Sequence, residues 1–173
     1  MGVMSETVAE ALNEHLNAEL YSAYLYLSMA AYFESQDLEG FAQWMKVQAR
    51  EEMDHVVRMY GYIGERDARV QLRSVAAPPS DWPSPLAAFE ETLRHEREIS
   101  ERIHKLVELS QRENDHATNS FLQWFVSEQV EEEASVKKAL QSVRLVEGAP
   151  GGLFLVDQTL GARVYRGEGA TEA

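Results

Sequence analysis

The sequence contains two copies of one arrangement of metal-ligand residue types. In each copy, a glutamate is followed 33 residues later by a pair of polar residues spaced three apart, and the copies lie 77 residues apart. The two sets are Glu19, Glu52 and His55, and then Glu96, Gln129 and Glu132. Residues three apart in a helix share a face, so each pair can reach a single site. Carboxylate and imidazole ligands favour iron, manganese or zinc over soft metals.

The candidate ligands interrupt the apolar faces of four long segments. Apolar residues recur at spacings of three and four, which predicts amphipathic helices. The helices are predicted over about 5–35, 38–65, 84–112 and 115–147. Each of the four glutamates falls on the inward face of a different helix, where an uncompensated carboxylate costs several kcal/mol. Glutamates from separate helices together with a Glu-x-x-His pair are typical of di-iron carboxylate bundles, so we expect two metal ions.

The connections predict how the helices are arranged. The first and second helices meet at residues 35–37 and the third and fourth at residues 112–115, and joints this short force antiparallel hairpins. Residues 66–83 are rich in proline, alanine and serine. At about 3.3–3.6 Å per residue, this loop can run the length of a helix of about 40 Å. The sequence therefore predicts two hairpins joined by one long crossover.

The C-terminal part adds a short element to the bundle. Residues 153–162 are largely apolar and predict a fifth helix, too short to be stable alone. Residues 166–173 are expected to be a disordered tail. We therefore expect one domain over residues 1–165.

Composition excludes several classes of protein. The 173 residues include no cysteine, which excludes disulfide scaffolds, thiolate metal sites and thiol nucleophiles. The net charge of −13 argues against a nucleic-acid partner and is compatible with cationic ligands. No segment is long and apolar enough to span a membrane, and the N-terminus lacks the pattern of a secretory signal. A cytoplasmic location without membrane association is expected.

Three stretches of the sequence resemble a known family. Residues 17–24 (NAELYSAY), 51–55 (EEMDH) and 121–133 (FLQWFVSEQVEEE) are similar to prokaryotic non-haem ferritins, and the resemblance extends over about 5–165. It implies an all-α, ferritin-like four-helix bundle with one long crossover loop and a short fifth C-terminal helix. It also implies a ferroxidase that oxidises Fe(II) to Fe(III) with O₂ or H₂O₂ and stores ferric mineral inside a homo-oligomeric shell of 24 chains.

The resemblance assigns roles to individual residues. It implies that Glu19, Glu52 and His55 hold a first iron, and that Glu52 bridges to a second iron held by Glu96 and Glu132. Tyr26 matches a tyrosine beside the centre that can supply an electron, and Gln129 matches a glutamine next to the irons. A third iron site is implied at Glu51, Glu128, Glu131 and Glu132.

Departures from related families limit what is carried over. Met53 matches the haem-binding methionine of bacterioferritins, but Gln129 and Glu132 replace two of their iron ligands, so haem is not expected and Met53 is interpreted as a packing residue. Asn119 and Leu122 stand where animal ferritins have acidic pore residues, which puts iron entry by that route in doubt. The remaining histidines are interpreted as surface or pairing residues: His15, His95, His104 and His116.

Other functions fit the sequence less well. The alternative is a rubrerythrin-like di-iron peroxidase without mineral storage, which would favour a second Glu-x-x-His and often a cysteine-ligated module. This chain has Gln129-x-x-Glu132 and no cysteine. A purely structural bundle leaves the inward acids unexplained. The small DNA-protecting relatives of ferritins place iron between subunits and lack a fifth helix.

Overall fold

The computed structural model describes residues 4–149 and 151–167, which form five helices and no strand. The helices are α1 (Glu6–Ser35), α2 (Glu39–Glu65), α3 (Pro85–Arg112), α4 (His116–Leu145) and α5 (Gly152–Gly161). The predicted fold class, four long helices followed by a short one, is confirmed. In the described ranges, no helix is long and apolar enough to cross a membrane.

Local hydrogen bonds determine where the helices begin and end. Three helices start after a side-chain cap that accepts from the backbone N–H three residues later: Ser5, Ser84 and Asp115. Three helices end before a residue in the left-handed conformation: Asp37, Asp67 and Asn114, at φ of 56°, 56° and 54°. Asp and Asn tolerate this conformation better than most residues, so each ends its helix without a glycine.

The C-terminal boundaries differ slightly from those predicted. α4 ends at Leu145 rather than at about 147, because the chain turns before Gly148, which adopts a φ of 73°. α5 begins at Gly152, one residue earlier than expected. Most of the tail predicted to be disordered, residues 168–173, lies outside the described residues.

The apolar core is divided in two along the bundle. One cluster lies where α1 ends and α2 begins and includes Phe33 and Phe41. The other lies towards the opposite end and includes Leu12 and Ile63. A buried polar layer separates them along the four long helices: Glu19, Gln48, Glu52, His55, Glu96, Gln129 and Glu132. The long hairpins thus place one polar layer at the centre of an otherwise apolar bundle.

α5 packs against the start of α2. Leu38, the residue before α2, provides no side-chain cap. Asp157 of α5 supplies one instead, because its Oδ1 accepts from the backbone N–H of Gly40 at 2.8 Å and of Phe41 at 3.0 Å. A Cβ on Gly40 would lie 1.7 Å from the Asp157 carbonyl oxygen, so only glycine permits this approach. These contacts fix the position of α5 and of the residues that follow it.

Candidate metal centre

Three side chains of the first hairpin converge in the polar layer. Glu19 of α1 and Glu52 and His55 of α2 are at most 2% exposed, and each offers a ligand atom within 4.8 Å of the others. His55 Nδ1 lies 3.3 Å from Glu52 Oε2 and 3.8 Å from Glu19 Oε2. These atoms and Glu19 Oε1 have no hydrogen-bond partner in the described part of the protein. Buried polar atoms nearly always have hydrogen-bond partners. This group of ligand atoms without partners therefore has the composition and the geometry expected of a cation site.

Burial and neighbouring charges shift the pKa values of all three side chains in this group. Burial raises the pKa of Glu19, but His15 and His55 outweigh burial and hold it well below its usual range. Burial lowers the pKa of His55, but Glu19 and Glu52 hold it well above its usual value. Burial raises the pKa of Glu52 well above its usual value, and the Glu19 and Glu132 carboxylates add to the effect. Because metal ligands must be deprotonated, a bound metal ion would compete with protons for Glu52 and His55.

The carboxylates of the second hairpin are held by hydrogen bonds. Tyr26 Oη donates to Glu96 Oε1, and Gln129 Nε2 donates to Glu96 Oε2 at 3.1 Å. Gln48 Nε2 donates to Glu132 Oε2 at 2.5 Å. Burial, followed by the nearby carboxylates, raises the pKa of Glu96 and that of Glu132 to about 8. Without a metal, this half keeps its acids in place through amide and phenol donors.

The residues that the sequence assigned to the di-iron centre occupy one region of the structure. The buried set consists of Glu19, Tyr26, Glu52, His55, Glu96, Gln129 and Glu132. The two halves also influence each other, because the charge of Glu52 raises the pKa of Glu96 and the charge of Glu132 raises the pKa of Glu52. Both hairpins therefore contribute carboxylates to one buried cluster.

The acids predicted for a third iron site are not gathered as one group. Glu128 offers a ligand atom within 4.8 Å of His55 and Glu132. Glu51 instead accepts a hydrogen bond from Arg163, and Glu131 is exposed and outside the clustered ligand groups of the described residues. A pocket of about 240 Å³ lies beside this group, and its lining includes Glu51, His55 and Glu128.

Sequence reasoning assigned no role at the site to three residues that contact the ligands, although His15 was among the histidines expected to lie at the surface or to pair. His15 is 2% exposed, and its Nε2 lies 2.7 Å from Glu19 Oε1, an ion-pair distance without hydrogen-bond alignment. Its position four residues before Glu19 was the available signal, because such residues share a helix face. Gln48 lies on the predicted inward face of α2 but had been given no role. Arg163 lies beyond α5, where no local pattern indicates a contact.

One expectation about other side chains needs correction, and a second is made more specific. Met53, interpreted as a packing residue, is 43% exposed on α2, because it points away from the apolar clusters. His95, by contrast, is one of the histidines expected to lie at the surface or to pair, and it pairs: Ser22 Oγ lies 2.8 Å from its Nε2, and burial lowers its pKa to about 4.

The donor set matches iron. All candidate ligand atoms are carboxylate oxygens or imidazole nitrogens, which suit iron, manganese and zinc. The four carboxylates Glu19, Glu52, Glu96 and Glu132 come from four different helices, and His55 follows Glu52 at the spacing of a Glu-x-x-His pair. The fold and this site together define the class of helical-bundle proteins with carboxylate-bridged metal centres.

Comparisons with known proteins identify the family within that class. A family model described as a ferritin-like domain matches residues 9–146. The bacterial non-haem ferritin of Staphylococcus aureus is 37% identical over 163 residues, which cover 94% of this chain and 98% of that protein. The bacterial non-haem ferritin of Bacteroides fragilis is 40% identical over 161 residues, covering 93% of this chain and all of that protein.

Solved structures agree with these relatives. An Archaeoglobus fulgidus ferritin described as having an open pore superposes with a TM-score of 0.93 at 50% identity, covering 95% of this chain and all of that chain. A closed form of that ferritin, engineered by mutagenesis, gives the same TM-score and identity over 94% of this chain and 99% of that chain. The chain belongs to the ferritin family, among the prokaryotic non-haem ferritins.

This membership confirms the predicted function. The protein is an iron-storage ferritin with a ferroxidase-type Glu/His site, and its activity is the oxidation of Fe(II). Iron is therefore the substrate and the cargo.

Proposed function

We propose that the two halves of the polar layer bind one Fe(II) each. Glu19, Glu52 and His55 would hold the first ion, and Glu52, Glu96 and Glu132 the second, with Glu52 bridging. The buried ligand atoms of the first half that lack hydrogen-bond partners are the observation that carries this assignment. Two adjacent ions can each give one electron to a shared oxidant, O₂ or H₂O₂, and so reduce it by two electrons. A single Fe(II) that becomes Fe(III) supplies only one electron.

Two further residues would assist the electron transfer. Tyr26 Oη donates to Glu96, so a proton can pass to that carboxylate when the phenol gives up an electron. Gln129 donates to the same carboxylate and to no other acid in the described residues, which would hold Glu96 towards the second ion. We assign Tyr26 as an auxiliary electron donor and Gln129 as a positioning residue.

A third, weaker iron position would lie on the outer side of the centre. Glu128 and Glu132 already approach each other beside His55. Glu51 and Glu131 would complete the position only after side-chain movement, because Glu51 contacts Arg163 and Glu131 faces solvent. Such a site suits iron in transit from the centre to the mineral.

Storage requires an assembly around a cavity. We propose a shell of 24 chains in the cytoplasm, the arrangement typical of this family. The similarity to both an open-pore ferritin and its engineered closed form makes the pore geometry a separate question from shell formation. A particle mass of about 24 times that of the chain, measured by light scattering, tests the shell directly.

The decisive experiment combines oxygen uptake with iron retention. Fe(II) is added in excess to the metal-free protein without air, air is admitted, and O₂ consumption is followed before size-exclusion chromatography. We expect fast uptake that saturates at two to three irons per chain, and then hundreds of irons or more eluting with each assembly. Fast uptake without retained iron would instead support the rubrerythrin-like alternative.

Matched variants connect the activity to the site. Glu19→Gln keeps the side-chain volume but removes a ligand charge, and it should slow the fast phase by about 100-fold. Glu108→Gln removes the same charge from an exposed position of α3 and should leave the rate unchanged. An unchanged fast phase in Glu19→Gln would overturn the ligand assignment.

A further inference from the structure

Arg163 connects the segment after α5 to the metal centre. It lies two residues beyond the end of α5, yet its guanidinium reaches across α2. Arg163 Nη1 donates to Gln48 Oε1 at 2.8 Å, and Nη2 donates to Glu51 Oε2. The guanidinium carbon lies 4.4 Å from the centroid of the Trp44 ring, a cation–π contact that fixes the plane of the group. Only 19% of the side chain is exposed.

The contact with Gln48 fixes which way its amide faces. Gln48 is fully buried between a cation and a carboxylate. The guanidinium has donors only, so it must meet the amide oxygen, which leaves the amide nitrogen, a donor, to face an accepting oxygen of Glu132. Both neighbours therefore demand the same orientation, in which Gln48 Nε2 donates to Glu132 Oε2 at 2.5 Å. The result is a continuous chain of hydrogen bonds from Arg163 through Gln48 to Glu132.

We propose that Arg163 is a positioning residue for the second iron, acting through Gln48 on Glu132. The bond from Gln48 uses one of the about four lone-pair positions of a carboxylate, so Glu132 is restrained and still has positions for a metal. Residues that orient metal ligands typically contribute about 10–100-fold to metal affinity. This inference rests on the proposed di-iron centre.

A rival explanation predicts the opposite sign. A positive charge close to a metal site repels a divalent cation, so charge alone would make loss of Arg163 strengthen metal binding. Positioning predicts weaker binding of the second ion and no change for the first, whose ligands Arg163 does not contact. The two explanations are therefore separated by the direction of a single measurement.

The test titrates the metal-free, full-length protein with Zn²⁺ in a calorimeter at pH 7. All chains carry Glu51→Gln. Without this change, the loss of Arg163 would free the Glu51 carboxylate, which could then bind an additional Zn²⁺ outside the centre. In this background, Arg163→Gln should weaken the second step by about 10–100-fold and leave the first step unchanged. Arg163→Lys should lie in between, because one ammonium cannot reproduce the planar fork.

Two further variants sharpen the result. Arg144→Gln is the matched control, since Arg144 makes an exposed ion pair with Glu90 at 2.8 Å and its loss removes the same charge. Gln48→Leu removes the amide, and adding Arg163→Gln to it should weaken the second step no further, because the chain of hydrogen bonds is already broken. Circular dichroism checks that each variant is folded, and Arg163→Lys carries the test if Arg163→Gln is not.

The outcomes are distinct. A second step that is unchanged or tighter in Arg163→Gln overturns the inference, and so does an additive effect in the double variant. If the protein that carries only Glu51→Gln does not show two Zn²⁺-binding steps, the proposed di-iron centre is wrong, and the inference that depends on it is wrong too. The inference is supported if Arg163→Gln weakens only the second binding step, and if it has no further effect in a chain that already carries Gln48→Leu.

Discussion

The two halves of the metal centre share one sequence spacing but differ in how they are held without metal. In the first hairpin, Glu19, Glu52 and His55 approach each other closely and leave four ligand atoms without hydrogen-bond partners. In the second hairpin, Glu96 and Glu132 are held by neighbouring phenol and amide groups. The first half therefore has ligand atoms that only a cation would satisfy, whereas the carboxylates of the second half accept hydrogen bonds from protein donors.

Different residue types at two matched positions contribute to this difference. Gln129 occupies the position that corresponds to Glu52, and Glu132 the one that corresponds to His55. An amide can donate a hydrogen bond to a carboxylate, whereas a second carboxylate cannot unless it is protonated. We therefore expect the first ion to bind in the first half, where four ligand atoms lack hydrogen-bond partners, and the second ion to follow at carboxylates whose oxygens already accept hydrogen bonds.

The strongest way to break the comparison is to remove the residue that both halves share. Glu52→Gln should abolish high-affinity binding of both ions and slow fast Fe(II) oxidation by about 100-fold or more, because a bridging ligand serves each site. Zn²⁺ titration of the metal-free chain and stopped-flow oxidation measure the two effects. Retention of two tight ions would show that Glu52 does not bridge.

A change in the second half alone should separate the two ions. Glu132→Gln is expected to weaken the second ion by about 10–100-fold while the first binds as in the unmodified protein. His55→Ala is the complementary variant and should weaken the first ion. If both variants reduce the same binding step, the division into halves is wrong.

The carboxylates of the second half should make the stability of the metal-free protein decline with pH. Glu96 and Glu132 have folded pKa values of about 8, above the ordinary value of 4.5, so folding binds their protons. Their contribution to stability is fully present below pH 4.5 and is lost as pH rises through about 8. The thermal midpoint in the presence of a chelator should therefore fall between pH 5 and pH 9.

Controls for this prediction come from the same residues. Glu96→Gln and Glu132→Gln should each flatten the decline, because an amide does not titrate. Saturating Zn²⁺ should also raise the midpoint most at high pH, where the carboxylates are already ionised and the metal displaces fewer protons. A midpoint that rises steadily with pH would contradict the raised pKa values.

The sequence predicted the fold and the ligands for different reasons. Helix periodicity and the lengths of the connections depend on local patterns, so the four helices could be placed to within a few residues. The spacing of Glu19, Glu52 and His55 is also a local signal once the hairpin is assumed. The contacts of Gln48 and Arg163 depend on where α5 packs, and that position rests on Asp157 and Gly40, which are 117 residues apart. The periodicity of a sequence does not predict a contact between residues so far apart in the chain.

The smallest expected effect concerns one of the hydrogen bonds that join the two hairpins directly. Tyr26 lies on α1, in the first hairpin, and donates to Glu96 in the second. Tyr26→Phe removes the hydroxyl and leaves the ring in place, so both ions should still bind, with the second weakened by less than about 10-fold. Tyr26→Phe also lacks the proposed auxiliary electron donor. A sample of this variant that is frozen rapidly after mixing with Fe(II) and O₂ should therefore show no tyrosyl radical signal in electron paramagnetic resonance. Tyr21→Phe, a change at a half-buried position on the same helix, is the control and should leave the signal intact. A radical that persists in Tyr26→Phe would assign the electron to another aromatic residue, and a second-ion affinity reduced as far as in Glu132→Gln would mean that the phenol, rather than the carboxylates, organises the second half.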